Sequence, residues 1–268
     1  MEVNIILDQN IIKGDKDIRK LEGTKRLKSV EDRQVSSEVF DDATLKVLYK
    51  LAKQGYINQL SGVISTGKEA NVLKGVDDNG NFVAVKIYRV VTSDFKKIRT
   101  YIDGDYRFKT HGNNKRQIIT EWTYKEFKNL GRLFNAGVNV PQAYAAKENV
   151  LVMEYLYSNN KEDRVAQPLQ KSVLNNAESV FDEIIHFMNL SYNKAKIVHG
   201  DLSMYNILIS NNQPYIIDLA QGTLIDHPIS RTLLDRDIKN IINNAKRFNV
   251  SLDFETMKNQ ILKKNKII

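Results

Sequence analysis

The sequence contains no cysteine, which excludes disulfides and thiolate metal sites. Its four histidines are scattered along 268 residues, which argues against a histidine-rich metal centre. A divalent cation is therefore expected on oxygen ligands, which favours Mg, with Mn as the second choice. No apolar run approaches the length needed to cross a bilayer, so no membrane partner is expected. Met1 to Ile12 holds an apolar patch broken by Asp8, without a basic flank or a small-residue cleavage site, and does not read as a secretory signal. Together with the missing cysteine this suits a cytoplasmic protein. Internal repeats and low-complexity tracts are absent as well. Acidic residues are in deficit: 32 Asp and Glu against 40 Lys and Arg leave a net charge of +8 and a pI of about 9.3. That excess suits a polyanionic partner as well as it suits a plain solubility charge.

What is present reads as an ordinary globular chain, 42% hydrophobic and 27% charged. Residues 1–40, with the mixed charges of Lys13 to Arg33, read as a partly mobile arm. A helix is predicted after Asp41-Asp42, with Leu45, Leu48 and Leu51 at helical spacing and Gly55 as its stop. Short β-rich runs follow at Leu60 to Ile64, Ala70 to Lys74 and Phe82 to Tyr88, separated by turn residues. The polar stretch Thr100 to Gln117 reads as a mobile loop. Ile118 to Phe134 reads as a helix that buries Trp122, Phe127, Leu130 and Phe134 and stops at Gly137. A hairpin is predicted across Lys147-Glu148-Asn149. From about Asn160 the pattern turns mostly helical, with faces through Phe181 to Ala195 and Leu234 to Phe248. Two short β runs, Asn206 to Ile209 and Tyr215 to Asp218, lie between them. The class is thus α+β: a strand-rich N-lobe over 41–156, including the preceding helix and an insertion near 102–117, and a helical C-lobe over 157–268. Two lobes create a cleft.

Phosphoryl transfer from ATP needs positioning and charge neutralisation more than covalent chemistry. His199-Gly200-Asp201-Leu202-Ser203-Met204-Tyr205-Asn206 offers an Asp followed five residues later by an Asn. In kinases that spacing puts an acceptor-orienting carboxylate (Asp201) and a metal-binding amide (Asn206) on one loop. Tyr215-Ile216-Ile217-Asp218 ends an apolar run on a carboxylate, where the principal metal ligand belongs. Lys86, in Phe82-Val83-Ala84-Val85-Lys86-Ile87, fits the strand lysine that meets the α- and β-phosphates. Glu126 on the following helix is its expected carboxylate partner, with Glu121 as the alternative. Ser65-Thr66-Gly67-Lys68-Glu69-Ala70-Asn71-Val72 lacks the three-glycine pattern, yet Gly67 permits a tight turn while Ser65 and Lys68 can neutralise phosphate oxygens.

These residues resemble the RIO family of atypical serine/threonine kinases. The resemblance rests on Ser65 to Val72, on Val198 to Asn206, and on Ile217-Asp218 followed by Gln221-Gly222. Tyr101-Ile102, Gly104-Asp105, Arg107-Phe108 and Leu151 to Tyr155 point to its type-one branch. The resemblance implies a reduced protein-kinase-like fold; only about fifty residues follow Asp218, without Ala-Pro-Glu, so an activation loop and peptide-docking helices have no room. It implies Asp201 as the catalytic aspartate, Asn206 and Asp218 as metal ligands, and Asp218 as a possible phosphate acceptor. It also implies Lys86, Ser65 and Lys68 as phosphate contacts, Met153 as gatekeeper, and Glu154 and Leu156 as the hinge that meets adenine. Further expectations are ATPase activity, autophosphorylation of the chain itself, and a nucleotide-dependent switch in small-ribosomal-subunit maturation with the rRNA as partner. The alternatives are a small-molecule kinase of aminoglycoside or choline type, and a nucleotide-gated ribosome-binding protein with little turnover. The tail Lys263-Lys264-Asn265-Lys266 matches no family motif.

Overall fold

The structure, a computed structural model, describes residues 5–6, 41–108, 114–158 and 161–263. Almost all of the expected arm, residues 109–113 of the insertion and the last five residues lie outside these ranges. The chain forms two compact units, one of residues 1–93 with 144–154, the other of 94–143 with 155–268. The grouping differs from a single cut after residue 156, because the segment from 94 to 143 packs with the helical half.

Among the described residues, the first unit is a six-stranded sheet with one helix. Helix α1 (Asp42–Lys53) begins where expected: Asp41 caps it by accepting a 2.7 Å bond from the Thr44 amide, and Gly55, at φ +80, follows its end. Strands β2 (Gln59–Thr66), β3 (Ala70–Val76) and β4 (Phe82–Tyr88) form an antiparallel meander. Strand β6 (Val150–Glu154) pairs antiparallel with β4, while β5 (Ala143–Lys147) and β1 (Ile5–Ile6) close the two edges. Val47, Leu48 and Leu51 of α1 join Leu60, Leu73, Val83, Val85 and Val152 of the sheet in one core. Asn149 locks the arrangement, since its side-chain amide donates to Thr44 Oγ1 and to the Tyr88 carbonyl, each at 3.0 Å.

The second unit is mainly helical. Its elements include α2 (Phe95–Ile102), α3 (Lys115–Asn135), α4 (Ala177–Leu190), α5 (Ser230–Lys246) and α6 (Phe254–Leu262). Strand β11 (Ile207–Ser210) pairs with β12 (Gln213–Ile216), and β10 (Ile197–Val198) with β13 (Thr223–Leu224). The polar stretch expected to be a mobile loop is structured at both ends. The last turn of α2 covers Tyr101 and Ile102, Asp105 and Phe108 are buried, and α3 starts at Lys115 behind an Asn114 cap. Arg107 supplies the reason, gripping the buried Asp105 carboxylate with two bonds of 2.9 and 2.7 Å. The mostly helical reading after Asn160 holds, with the short strands β7 (Tyr157–Ser158), β8 (Lys161–Val165) and β9 (Gln167–Pro168) added before α4. Among the described residues, no helix is long and apolar enough to cross a membrane.

Candidate active site

The loop from His199 to Asn206 is held from one side by one helix. Asp237, Asn240 and Asn244 of α5 are spaced three and four residues apart, which puts them on one helical face. Asp237 accepts from the Gly200 amide at 2.7 Å and the Leu202 amide at 2.9 Å. Asn240 donates to the Leu202 carbonyl at 3.1 Å, and Asn244 accepts from the Met204 amide at 2.6 Å. Burial pushes the Asp237 carboxyl up, against the opposing pull of His199 and the two amides. Sequence reading missed Asp237, although a charge inside the apolar series Leu234, Ile238 and Ile241 was a visible signal.

His199 ties this loop to the end of the β-hairpin. Its Nε2–H donates to the Ile217 carbonyl at 2.9 Å, while its Nδ1 accepts from the Asp201 amide at 3.2 Å. Those two partners select one tautomer. Asn206 donates through Nδ2 to the Asp201 carbonyl at 2.9 Å, which leaves Oδ1 as its acceptor for a cation. Gln221 Nε2 donates to Asp201 Oδ2 at 3.3 Å, orienting the expected catalytic carboxylate. Asp218 does not end a strand, as its sequence suggested. Strand β12 stops at Ile216, and Asp218 is an exposed residue at φ +62, a left-handed conformation that Asp tolerates better than most residues.

Helix α3 faces the turn after Asp218 with polar groups. Glu126 Oε1 accepts from the Leu219 amide at 3.2 Å. Asn129 Nδ2 donates to the Leu219 and Gly222 carbonyls at 2.9 and 2.8 Å. Lys125 Nζ donates to the Ala220 carbonyl at 3.2 Å and also to the Gly222 carbonyl. A Cβ on Gly222 would lie 3.0 Å from Asn129 Nδ2 and 3.0 Å from the Leu219 carbonyl, so the turn needs glycine. This overturns half of the expected apolar stripe, since Trp122 and Leu130 are buried as expected but Phe127 and Phe134 are not. Phe134 is 46% exposed and Phe127 half-buried, while Lys125, Glu126 and Asn129 are inside with Trp122 and Leu130. Hydrophobic spacing could not reveal a face whose task is to hold backbone.

In the first unit, Ser65 near the end of β2 and Lys68 on the tight connection to β3 are both exposed, and the Gly67 amide closes that connection on the Ala70 carbonyl at 2.9 Å. Thr92 Oγ1 donates to the Lys68 carbonyl at 2.6 Å, and the Arg89 amide to the Glu69 carbonyl at 2.8 Å. Lys86 is buried on β4, across from Val72 on one side and Leu151 on the other. Met153 and Glu154, half-buried, end β6 opposite Ala84 and Val83. Leu156 is buried in the second unit and its carbonyl accepts from Ala166 at 2.8 Å. The predicted residues thus divide: Ser65, Lys68, Lys86, Met153 and Glu154 in one unit, and Glu126, Leu156, Asp201, Asn206 and Asp218 in the other.

Among the described residues, no group of three His, Cys, Asp or Glu side chains gathers to cage a metal. The donor set of Asn206 Oδ1 and Asp218 still fits Mg, which usually takes one or two carboxylates and completes its shell with water and phosphate oxygens.

The fold and this loop chemistry define a reduced protein-kinase class. Two structures of the Rio2 kinase from Chaetomium thermophilum share the fold. One superposes with a TM-score of 0.64 at 21% identity, covering 91% of this chain and 76% of that one. The other is an ADP/Mg2+-phosphoaspartate complex, with a TM-score of 0.60 at 22% identity, covering 81% of this chain and 66% of that one. Residues 71–258 match the RIO domain of the RIO1 family. The Rio1 serine/threonine kinase of Haloferax volcanii is 40% identical over 232 residues, 87% of this chain and 79% of that protein. That of Methanocaldococcus jannaschii is 38% identical over 235 residues, with the same coverage. The human Rio1 kinase is 35% identical over 233 residues, but this chain spans only 40% of its length. The chain therefore belongs to the RIO1 family of atypical serine/threonine protein kinases, on the Rio1 branch.

Proposed function

We propose that this kinase binds ATP with Mg in place and works as a nucleotide-dependent switch in small-ribosomal-subunit maturation. The observation that carries the nucleotide reading is the convergence on Asp201: Asn206 and Gln221 both bond to it, and the loop that bears it is fastened to α5. Mg-ATP supplies the transferable phosphoryl group and the cation that spreads its charge. In this reading Asn206 Oδ1 and the Asp218 carboxylate hold the cation, with Mn as a substitute. Lys86 neutralises the α- and β-phosphates, with Glu126 as its carboxylate partner, while Ser65, Lys68 and the backbone amides beside Gly67 cover the phosphates. Met153, Glu154 and Leu156 bound the adenine.

Asp201 orients the acceptor oxygen and receives its proton. The acceptor is a serine or threonine hydroxyl, on the chain itself or on a partner, or it is water, which makes the enzyme an ATPase. Asp218 is the further acceptor: its carboxylate oxygen bonds to the γ-phosphorus as the bond to the leaving ADP oxygen breaks. A phosphoaspartate in the Rio2 relative supports this choice. The net charge of +8 supports a phosphate-rich partner such as the subunit's rRNA, and the absence of cysteine suits the cytoplasm. The family match favours this reading over a small-molecule kinase.

Steady-state ATP turnover of the full chain, with and without small-subunit precursors, tests it. Asp218→Ala is expected to lower Mg-dependent turnover by about a hundredfold or more. Unchanged turnover removes Asp218 from the centre. Co-sedimentation with the precursor particles is expected at low salt and should be lost steeply as salt rises. No binding at low salt counts against the ribosomal role.

A further inference from the structure

Lys125 is a costly residue to place where it is. It is completely buried, and taking an ammonium out of water is unfavourable unless its partners compensate. Burial drives it down to about 7, with Asp105 pulling upward and Arg107 adding to the fall. Plain satisfaction of the turn's carbonyls accounts for only one of its two bonds, the one to Ala220. Asn129 already serves the Gly222 carbonyl at 2.8 Å and the Leu219 carbonyl at 2.9 Å. What Lys125 adds is a charge-assisted clamp on the Ala220 and Gly222 carbonyls, two and four residues beyond Asp218.

The carboxylate whose charge acts on it is also built in. Asp105 has a side chain with no exposure, held by Arg107 in a two-bond fork and by the Arg107 amide at 3.1 Å. Burial pushes the Asp105 carboxyl up, but the Arg107 bonds and charge outweigh it and hold the group below the usual carboxylate range. The preceding turn is pinned as well, because His227 Nε2–H donates to the Asp103 carbonyl at 2.9 Å. Gly104 sits at φ +97, where a Cβ would come within 3.1 Å of that imidazole nitrogen. Lys125 thus feels the charge of a fixed, ionised carboxylate while it bonds directly to the turn after Asp218.

We propose that Lys125 is a positioning residue for phosphoryl transfer: by clamping the Ala220 and Gly222 carbonyls it fixes the turn that carries Asp218 to the cation, and the Tyr101–Phe108 segment, through Asp105, sets the strength of that clamp. The inference rests on the reading of Asp218 as a metal ligand. It gives the ordered base of the insertion a route to the metal site: whatever displaces Asp105 loosens Asp218.

The test is a Mg titration of ATP turnover and of ADP binding in the full chain. Lys125→Met is expected to raise the half-saturating Mg concentration about tenfold, as loss of a ligand-orienting partner does, with ADP affinity in the absence of Mg unchanged. Lys125→Gln keeps a neutral donor and is expected to recover part of that, leaving about a threefold rise. Asp105→Asn should move the same constant in the same direction by about threefold. A purely structural lysine would lower the melting temperature without moving the Mg constant. Should Lys125→Met fail to fold, Lys125→Gln carries the test. A folded Lys125 variant with the wild-type Mg constant overturns the proposal, and an unmoved constant in Asp105→Asn overturns the part assigned to the insertion. Asp218→Ala separates the two levels. If it abolishes Mg dependence while the Lys125 variants behave as wild type, only this inference falls. If it leaves Mg dependence intact, the ligand reading beneath it falls.

Discussion

Helices α1 and α3 both bury one face, and they bury opposite chemistry. The inner face of α1 is Val47, Leu48 and Leu51, packed into the sheet core of its unit. The inner face of α3 includes Thr123, Lys125, Glu126 and Asn129 beside Trp122, Leu130 and Leu133. The apolar face of α1 gains from leaving water, roughly in proportion to its area. The polar groups of α3 gain little net stability, since each bond they make replaces one to water. What they provide is direction: three neighbouring side chains fix Leu219, Ala220 and Gly222 of one turn. One helix holds the fold, while the other holds a backbone segment beside the chemistry.

The contrast can be broken or sharpened by substitution. Leu48→Ala should be the largest stability loss, about 2–5 kcal/mol by urea denaturation, with kcat per folded molecule unchanged. A drop in kcat there would mean that α1 also positions the site. Asn129→Leu leaves the Leu219 carbonyl without this donor, for a cost of about 1–3 kcal/mol. Unlike Leu48→Ala, it should lower kcat of the folded enzyme as well, read by ATP turnover normalised to active protein. An effect on stability alone would make α3 an ordinary packing helix.

The last effect is one of pH. Lys125 titrates near 7 when folded and near 10.4 when unfolded, so between these values the unfolded chain binds more protons. This group's contribution to wild-type stability therefore rises with pH across that window. Lys125→Met should gain on the wild type as pH falls from about 10 to about 7, by up to about 1.4 kcal/mol per pH unit. Urea melts of both proteins at three pH values measure it. A pH-independent difference would show that the ammonium is not desolvated as its burial implies.

Much of this was legible in the sequence, for identifiable reasons. The Asp41 cap, Gly55, the Gly137 stop and the strands of the sheet follow local rules of spacing and capping, which act within a few residues. The RIO motifs were equally readable, because they are short runs of residue types that stand together in the chain. Where local rules failed, a distant partner decided the outcome. Thr100 to Gln117 read as a loop because Asp105 and Arg107 look like solvated charges until they pair in the interior. Phe127 and Phe134 read as core because spacing cannot weigh an aromatic ring against Glu126, whose partner is the Leu219 amide 93 positions away.

The sequence by itself determined the family and the fold class and offered the residues proposed for phosphoryl transfer, since each is written in contiguous residue types. Only the tertiary structure decided that Asp237 holds the Asp201 loop and that Lys125 grips the turn after Asp218. Those roles depend on buried donors meeting acceptors 35 to 97 residues away, and a partner at that distance leaves no periodic trace in the chain.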